Sequence, residues 1–349
     1  MADPRVLIAI VTYNSSRHIE RCLDALAGQY APLEVVVADN ASTDGTREIL
    51  ERYGGRIRVI RNRRNEGFAA AQNRIIRATS SDWVLALNPD VLMRPGFIRA
   101  LVEAGEADPQ AGAVCGKLLS IGPGFRPLTR RIVDSAGLYF TPEMRHFDRG
   151  WHEPDGDCFN RAEYIFGASG AAALYRRSMI DDVAIDGAFF DPDFFYYRED
   201  ADVAWRAQLL GWRCIYTPSA TAYHVRAVSP ENRRRVPPAI NMHSVKNRFL
   251  LRIKNATPDL YRRHWLPMTW RDVLVVGGCL FAEPRSLPAF WKLAGCVPRA
   301  LRARRQIMSR RRAGDQFIAR WFNSEPASQP LSVAPVGERA ARLAASAAG

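Results

Sequence analysis

The chain has 349 residues, of which 47% are apolar, and a formal net charge of +13 at pH 7. This length and composition suit one buried core of about 220–230 residues with an appendage. The six cysteines are scattered with no CxxC spacing, so neither a disulfide framework nor a zinc knuckle is indicated, and a reducing compartment is favoured. No basic and then apolar leader precedes the first apolar run, so no signal peptide is expected.

Strands and helices alternate in the predicted N-terminal part. An apolar run at residues 6–11 predicts a strand, and residues from Ser15 or Ser16 onwards carry apolar side chains at helical spacing. A second apolar run, 33–38, is followed by a turn at 41–46 that leads into another helix. This order predicts a parallel sheet, in which ligands bind outside the carboxyl ends of the strands. The polar segments 12–14, 39–40 and 88–90 should therefore lie at one edge.

Three ionisable side chains suggest a metal and a base in one cleft. Asp90 ends the segment "NPD", Asp200 ends "RED", and His224 lies 24 positions after Asp200 in "YHV". A metal that holds a diphosphate takes oxygen or imidazole ligands, and a general base needs a carboxylate beside the acceptor hydroxyl. Each residue alone is weak evidence, because an Asp at a strand end is commonly a turn former.

Six motifs in order give the chain a family resemblance. They are "VTYN" (11–14), "ADNASTDGT" (38–46), "NEGFAAAQN" (65–73), "LNPD" (87–90), "GASGAAALYRR" (167–177) and "REDADVAWRAQLLGW" (198–212). With these motifs the chain resembles the inverting GT-A glycosyltransferases of family 2, and among them the bacterial rhamnosyltransferase-like branch. The resemblance covers residues 5–225 and continues more weakly towards residue 320. It implies an α/β GT-A fold, a Rossmann-like, mostly parallel sheet flanked by helices.

The resemblance also implies a set of nucleotide-binding residues. Thr12, Tyr13 and Asp39 would hold the nucleotide, with Asp39 accepting from the N3–H of uracil or thymine, while the following loop and helix frame the nucleotide and sugar. The complete set is Thr12, Tyr13, Asn14, Asp39, Asn40, Asn65, Gly67, Phe68, Asn73 and Asn88. A turn for Gly67 and a core position for Phe68 remain as alternatives.

A metal site is implied at Asp90, which would bind Mg²⁺ or Mn²⁺ bridging the donor diphosphate, and His224 would complete the coordination. Asn88 stands where the commoner Asp-x-Asp pattern has its first acid. Because one carboxylate is missing, we expect modest metal affinity that depends on bound nucleoside diphosphate, as is usual for Mg²⁺.

Asp200 is the general base that the resemblance implies, and Glu199 is its nearest rival. Deprotonation of the acceptor hydroxyl by Asp200 would give direct displacement with inversion. We expect Asp200 at the N-cap of a helix over residues 201–210, where it would stay ionised, and a pure capping role is the alternative. A small-residue loop is expected to let backbone approach the sugar, with helix packing as the alternative. Its residues are Gly167, Ala168, Ser169 and Gly170.

Positive charge is concentrated in the C-terminal part. Residues 1–225 contain 26 Lys and Arg against 29 Asp and Glu, whereas residues 226–320 contain 21 against 5. The longest apolar run there, 273–282, is about half of a membrane span. Basic segments with interleaved aromatics predict helices that lie on an anionic membrane surface, and a solvated basic face is the alternative. Nucleic-acid binding is not expected, because the aromatics lie in apolar segments.

These observations predict three regions. They are a GT-A catalytic domain at 1–225, with a nucleotide-sugar half (1–115) and an acceptor-side half (116–225), a membrane-associating helical region at 226–322, and a disordered tail at 323–349. The boundary between the two halves precedes residues 117–163, interpreted as an insertion that covers the acceptor side.

The expected function follows from the resemblance. It is transfer of L-rhamnose from dTDP-rhamnose to a hydroxyl of a glycan or polyprenyl-diphosphate-linked acceptor in cell-surface polysaccharide synthesis, at the cytoplasmic face of the inner membrane. Another UDP-, dTDP- or GDP-sugar is the alternative donor. A sugar nucleotidyltransferase is the remote alternative, because the residues after the first strand lack a Gly-rich basic loop for a triphosphate.

Overall fold

The computed structural model describes residues 5–29, 33–226 and 237–331. The first ten elements are β1 (Val6–Thr12), α1 (Ile19–Asp24), β2 (Leu33–Asp39), α2 (Thr46–Arg52), β3 (Arg58–Arg61), α3 (Phe68–Arg77), β4 (Trp83–Leu87), β5 (Val91–Met93), α4 (Phe97–Glu106) and β6 (Ala111–Ser120). The next eight are β7 (Val133–Ser135), β8 (Leu138–Phe140), β9 (His146–Asp148), β10 (Glu163–Ile165), β11 (Ala172–Arg176), α5 (Arg177–Val183), α6 (Glu199–Leu209) and β12 (Arg213–His224). The last five are α7 (Pro238–Asn255), α8 (Pro258–Phe281), α9 (Pro288–Ser309), α10 (Asp315–Ala319) and β13 (Gln329–Pro330).

One large sheet organises the described residues. Its strand order is β13-β10-β12-β6-β11-β4-β1-β2-β3, with β5 paired to β12 and β7 to β6, while β8 and β9 form a separate pair. Strands β4, β1, β2 and β3 are mutually parallel, which confirms the parallel sheet expected for the N-terminal part. The other half is mixed, because β11 runs antiparallel to both β4 and β6.

The central strands are covered on both faces. In β1, Leu7 and Ala9 point into one apolar cluster with α3, whereas Ile8 and Ile10 point into a second cluster with α1 and α4. Successive side chains of a strand alternate between faces, so a continuous apolar run is what a strand buried on both faces requires. The polar residues that follow the run are left at the edge of the sheet.

The C-terminal helices pack on the sheet domain rather than standing apart from it. Pro238, Pro258 and Pro288 are the first residues of α7, α8 and α9, a position where the missing N–H costs nothing and the fixed φ suits a helix. Helix α7 packs against α6 and α9. Within the described ranges no single helix has the length and apolarity to cross a bilayer, and only α8 taken with Pro284–Ser309, bent by 112°, passes that test as a pair.

The predicted disordered tail is wrong in its first part. Within residues 323–331, strand β13 pairs antiparallel with β10, because β10 would otherwise leave one edge of the sheet open. Just before it, Trp321 and Phe322 are buried in the core. The remainder of the predicted tail, 332–349, and residues 227–236 of the predicted membrane-associating region lie outside the described residues. The predicted region boundaries stay predictions.

Candidate active site

Thr12 and Asp39 lie side by side at the carboxyl ends of β1 and β2. Asp39 is fully buried, and its carboxylate accepts from Thr12 Oγ1 at 3.2 Å, from the Ser42 N–H at 3.2 Å and from Arg47 Nε at 3.1 Å. A nucleobase N–H at Asp39 would share the carboxylate with Arg47. The Arg47 side chain is 46% exposed and has room to move aside.

Asn14 and Asn40, both predicted to contact the nucleotide, hold the loops of this edge. Asn14 adopts a φ of +53°, and its amide oxygen accepts a backbone N–H of the β2–α2 loop at 2.8 Å. Asn40 donates to the Gly67 carbonyl at 3.2 Å and accepts from Asn62 at 2.7 Å. Tyr13 is different, because its ring is 53% exposed and offers an open face for stacking.

The start of α3 is tied to the segment that precedes α6. Gly67 has a φ of +81°, and a Cβ there would lie 2.6 Å from the Phe195 carbonyl oxygen, so only glycine fits. The Phe68 N–H donates to the same carbonyl at 2.7 Å. Asn73 donates to and accepts from the Phe190 backbone at 2.6 and 2.9 Å.

These contacts change how two predicted nucleotide residues are understood. Both polar atoms of the buried Asn73 side chain bond to protein, and Phe68 packs edge-to-face against Phe190. In this arrangement both residues position the segment before α6 and present no group to a nucleotide. Asn65 lies in the loop that was expected to frame the nucleotide. Its side chain accepts the Gly67 N–H at 2.9 Å and shapes the turn into α3.

Asp90 and His224, the two predicted metal ligands, lie next to each other at this edge of the sheet. Asp90 follows β4, His224 ends β12, and Asp90 Oδ1 lies 3.4 Å from His224 Nε2. The other ring nitrogen, Nδ1, lies 2.7 Å from Oδ2 of the buried Asp134. Burial lowers the pKa of His224, but the hydrogen bonds and charges of Asp134 and Asp90 outweigh it and raise the pKa to about 10. Without a metal, the ring is therefore an imidazolium between two carboxylates.

This pair of residues fits a divalent cation. Asp90 Oδ1 is buried, and at 3.4 Å from His224 Nε2 it lacks a well-formed hydrogen bond, which is costly for a buried acceptor unless something binds it. A carboxylate on the far nitrogen, as Asp134 is on His224, orients the ring of a metal-binding histidine. No group of three His, Cys, Asp or Glu side chains shaped for a metal occurs in the described ranges, so diphosphate and water would supply the other ligands.

Asp200 is fixed by two backbone N–H groups, from Gly170 at 2.9 Å to Oδ2 and from Ala201 at 2.7 Å to Oδ1. The expected N-cap position is wrong, because α6 begins at Glu199 and the capping residue is Arg198 with a φ of +73°. Burial raises the pKa of Asp200 and the charge of Asp148 adds to the rise, while the two N–H bonds oppose it. A raised pKa makes the carboxylate a better proton acceptor.

Glu199 differs from its neighbour in having few polar contacts. It is 8% exposed, and its Oε2 makes no hydrogen bond. Burial and the charge of Asp200 raise the pKa of Glu199 to about 8. At neutral pH Glu199 therefore keeps its proton, and this division between two adjacent carboxyl groups favours Asp200 as the base.

The small-residue loop contacts both Asp200 and the strand that leads to Asp90. The Gly170 N–H bonds Asp200, and a Cβ at Gly170 would lie 3.2 Å from Asp200 Cβ. The next residue, Ala171, accepts from the Asn88 backbone N–H at 2.9 Å. Gly167 serves helix packing, since a Cβ there would lie 2.3 Å from Ala204 Cβ on α6. Ala168 and Ser169 are buried between these contacts.

Sequence reasoning missed the residues of α7 that hold the segment before α6. Asn247 is fully buried, and its Nδ2 donates to the carbonyls of Phe194, Tyr196 and Tyr197 at 2.9, 2.9 and 2.8 Å. The Lys246 ammonium donates to the Asp193 carbonyl. Nothing in the sequence announces these bonds, because they join positions about fifty residues apart.

A buried ionic network, also missed, joins α6 to α7. Asp202 accepts from Arg206 at 2.9 Å, from Lys254 at 2.9 Å and from Asn255 at 2.8 Å, and none of the four is appreciably exposed. The four-residue spacing of Asp202 and Arg206 in "REDADVAWR" was the available signal for one of these bonds. Removing one partner would leave an uncompensated buried charge.

Comparisons with known proteins agree with this geometry. Residues 7–184 match the family model described as glycosyl transferase family 2. Over 248 residues, covering 66% of this chain and 78% of the relative, the chain is 31% identical to the N-acetylglucosaminyl-diphospho-decaprenol L-rhamnosyltransferase of Mycobacterium tuberculosis (strain ATCC 25618 / H37Rv). It is 26% identical over 225 residues to the poly-beta-1,6-N-acetyl-D-glucosamine synthase of Staphylococcus aureus (strain COL), covering 62% and 49% of the two chains.

Solved structures agree on the fold. GalNAc-T7 with UDP, GalNAc and Mn2+ superposes with a TM-score of 0.56 at 14% identity, covering 72% of this chain and 48% of that chain. S. aureus TarS 1-349 with UDP-GlcNAc gives 0.52 at 16% identity, covering 86% and 83%. At such identities the likeness speaks for the fold alone, which is that of the GT-A glycosyltransferases. The polar edge of the sheet, the ordered motifs and the family match together show that the chain is an enzyme belonging to glycosyl transferase family 2.

Proposed function

We propose that this enzyme transfers L-rhamnose from dTDP-L-rhamnose to a hydroxyl of an N-acetylglucosamine carried on a polyprenyl diphosphate. The donor and acceptor are suggested by the relative that is 31% identical over 78% of its own length and whose name states a rhamnosyl transfer to a lipid-linked sugar. Polysaccharide synthesis at the cell surface is the corresponding role.

One observation carries the transferase chemistry. The strand that leads to Asp90 bonds through the Asn88 N–H to Ala171, and the neighbouring Gly170 N–H bonds Asp200. Burial raises the pKa of the Tyr197 phenol to about 12, and the charges of Glu199 and Asp90 add to the rise. Both carboxyl groups therefore lie near this one ring. These contacts support the proposal that a diphosphate end at Asp90 and a carboxylate base at Asp200 share one cleft.

The proposed reaction is a direct displacement. The bond between the anomeric carbon and the diphosphate oxygen breaks, and its electron pair leaves with the nucleoside diphosphate. The acceptor oxygen bonds to the opposite face of that carbon, and its proton passes to the Asp200 carboxylate. Because Gly170 and Ala201 fix this carboxylate by two hydrogen bonds, it is oriented before the acceptor arrives. The product has the anomeric configuration opposite to that of the donor.

The diphosphate end would use Mg²⁺ or Mn²⁺ held by Asp90 and His224, an ion that supplies positive charge to the leaving group. The protein would orient the two side chains that hold this ion. Asp134 fixes the His224 ring through Nδ1, and the unsatisfied Asp90 Oδ1 faces Nε2.

Peripheral attachment to the cytoplasmic face of the inner membrane is part of the proposal. Helices α8 and α9 expose large aromatic side chains, with exposures of 55% for Trp265, 65% for Trp270, 89% for Phe281 and 84% for Trp291. Exposed aromatics among many arginines suit the interface of an anionic leaflet, where a lipid-linked acceptor is anchored.

A donor panel tests the proposed function. The purified chain is incubated with dTDP-L-rhamnose, UDP-N-acetylglucosamine or GDP-mannose and a short-chain polyprenyl diphosphate carrying N-acetylglucosamine, in Mg²⁺, Mn²⁺ or EDTA. We expect transfer from dTDP-L-rhamnose, abolished by EDTA, with the inverted configuration read from the anomeric one-bond carbon–hydrogen coupling. Transfer only from another donor, or a product that retains the donor configuration, would refute the proposal.

A further inference from the structure

Four arginines from separate parts of the chain converge beside the catalytic segment. Arg145 lies in the turn between β8 and β9, Arg198 precedes α6, Arg248 is on α7 and Arg271 is on α8. The charges of the other three all act on Arg248, and that of Arg271 acts on Arg145. We refer to Arg145, Arg198, Arg248 and Arg271 as the arginine cluster.

Three members of the cluster, Arg145, Arg248 and Arg271, take part in no ion pair within the described part of the chain. Arg248 is 7% exposed, and its Nη1 makes no hydrogen bond. The charges of Arg145 and Arg271 also act on the carboxyl group of Glu143, and next to Arg271 the carboxylate of Asp272 pairs with Arg252 at 2.6 Å. Burial and the neighbouring guanidinium groups lower the pKa of Arg248 to about 8. Like charges buried together are costly to a protein that gains nothing from them.

His146 fixes one member of the cluster without adding charge. Arg198 Nη1 lies 2.7 Å from His146 Nδ1, and because a guanidinium has only donors, the histidine nitrogen accepts. Burial and the charges of Arg198 and Arg248 lower the pKa of His146 well below its usual value. The neutral ring therefore holds Arg198 in place directly before Glu199 and Asp200.

Two members of the cluster lie on elements that do not form the proposed donor end. The proposed diphosphate of the donor lies at Asp90 and His224, after β4 and at the end of β12, whereas Arg248 lies on α7 and Arg271 on α8. On α8, Arg271 is flanked by Trp270, Val273 and Leu274, which are 65%, 57% and 46% exposed. An anion bound at Arg271 would therefore have an open apolar surface within one helical turn.

We infer that the arginine cluster binds the diphosphate of a lipid-diphosphate-linked acceptor, and that the first part of its lipid chain lies on the exposed apolar surface of α8. This inference rests on the proposed function and names the part of the protein that recognises the acceptor. A sugar joined directly to that diphosphate would lie next to Arg198, and so next to Asp200. The guanidinium groups suit the two negatively charged phosphates, because Arg donates in a fork that fits phosphate oxygens.

Direct binding measurements test the inference without requiring transfer. The probes are farnesyl diphosphate below its micelle concentration, inorganic pyrophosphate, and dTDP with Mg²⁺, each titrated into the full chain by calorimetry. The variants are Arg248→Gln and Arg271→Gln, and the matched control is Arg262→Gln, an exposed arginine on the same helix α8. We expect farnesyl diphosphate to bind the wild type at least about tenfold more tightly than pyrophosphate, since only it can also cover α8.

Each cluster variant should weaken farnesyl diphosphate binding by about tenfold to hundredfold, the usual loss for a charge-assisted hydrogen bond. Binding of dTDP should stay unchanged, and Arg262→Gln should bind all three probes like the wild type. Equal losses for dTDP would assign the cluster to the donor and overturn the inference. So would equal affinity for farnesyl diphosphate and pyrophosphate, which would indicate a site for free phosphate groups.

Thermal unfolding of the unliganded variants separates recognition from a structural role. Because Arg248→Gln removes a buried charge that forms no ion pair with the described residues, its melting temperature should equal or exceed that of the wild type, a gain expected where a site is built for a ligand. A clear fall in melting temperature together with unchanged farnesyl diphosphate affinity in Arg271→Gln would overturn the inference. Failure of rhamnosyl transfer alone would count against the proposed function, because these titrations contain no donor sugar.

Discussion

Replacing Asp200 and Glu199 separately distinguishes the base from its neighbour. In Asp200→Asn the amide oxygen can accept only one of the two N–H groups that bond the carboxylate at 2.9 and 2.7 Å. The other N–H then faces an NH₂ group, and a buried donor left unsatisfied costs about 1–3 kcal/mol of stability. Turnover should fall by about two to four powers of ten, or about 3–5 kcal/mol in activation free energy, because the proton acceptor is lost.

Glu199→Gln should behave in the opposite way. The pKa of Glu199 in the folded protein is about 8, above its ordinary value of 4.5, so glutamine replaces a protonated acid at pH 7 and turnover stays near that of the wild type. The folded protein holds this proton while the unfolded chain has lost it, so the stabilisation is complete below pH 4.5 and is lost as the pH rises through about 8. The melting temperature of Glu199→Gln should therefore fall less than that of the wild type across this window.

The assay is the initial rate of dTDP release with saturating acceptor, with dTDP affinity in Mg²⁺ measured by calorimetry as the control for donor binding. Both variants should bind dTDP like the wild type. Near-normal turnover in Asp200→Asn combined with a large loss in Glu199→Gln would refute the assignment and exchange the two roles. An equal fall of the two melting temperatures with pH would refute the raised pKa of Glu199.

Three further predictions concern the predicted metal ligands, the loop and the membrane. Asp90→Ala and His224→Ala should each weaken dTDP binding in Mg²⁺ by at least about tenfold but change it little in EDTA, and equal losses in both would make these residues structural. Gly170→Ala puts a Cβ 3.2 Å from that of Asp200, so steady-state kinetics should show kcat lower by about one to two powers of ten at unchanged dTDP affinity, and an unchanged kcat would contradict this. Trp270 and Trp291 are 65% and 84% exposed, so replacing either by alanine should remove up to about 3 kcal/mol of the salt-resistant binding to anionic vesicles in co-sedimentation, and wild-type binding at high salt would refute this.

The sheet edge and the pairing of Asp90 with His224 could be predicted because local patterns determine them. Apolar runs that end in polar residues locate the carboxyl ends of β1, β2 and β4, and topology then brings those ends together. The ordered motifs add the family. Periodicity and the spacing of short motifs were therefore enough to predict the fold.

The environment of the base was less predictable, because it depends on one backbone angle. A sequence pattern placed Asp200 at an N-cap, but Arg198 takes the left-handed φ of +73° and shifts the helix start. Asn73 was assigned to the nucleotide for its motif, whereas its partner is the Phe190 backbone 117 residues away. Asp134, the partner of His224 from 90 residues away, has no local signal at all. Long-range polar contacts of this kind follow from packing rather than from periodicity.

The bonds from Asn247 and Lys246 show that the C-terminal helices also hold the segment before α6 in place. The carbonyls that these side chains hold belong to residues 193–197, which lead directly into Glu199 and Asp200. The proposed attachment of α8 and α9 to a membrane would therefore act, through α7, on the segment that carries Asp200, so vesicles should raise turnover as well as bind the enzyme. If α7–α9 were replaced by an unrelated lipid-binding helix, attachment to vesicles would return. Turnover would stay low, because residues 193–197 would lack the bonds from Lys246 and Asn247.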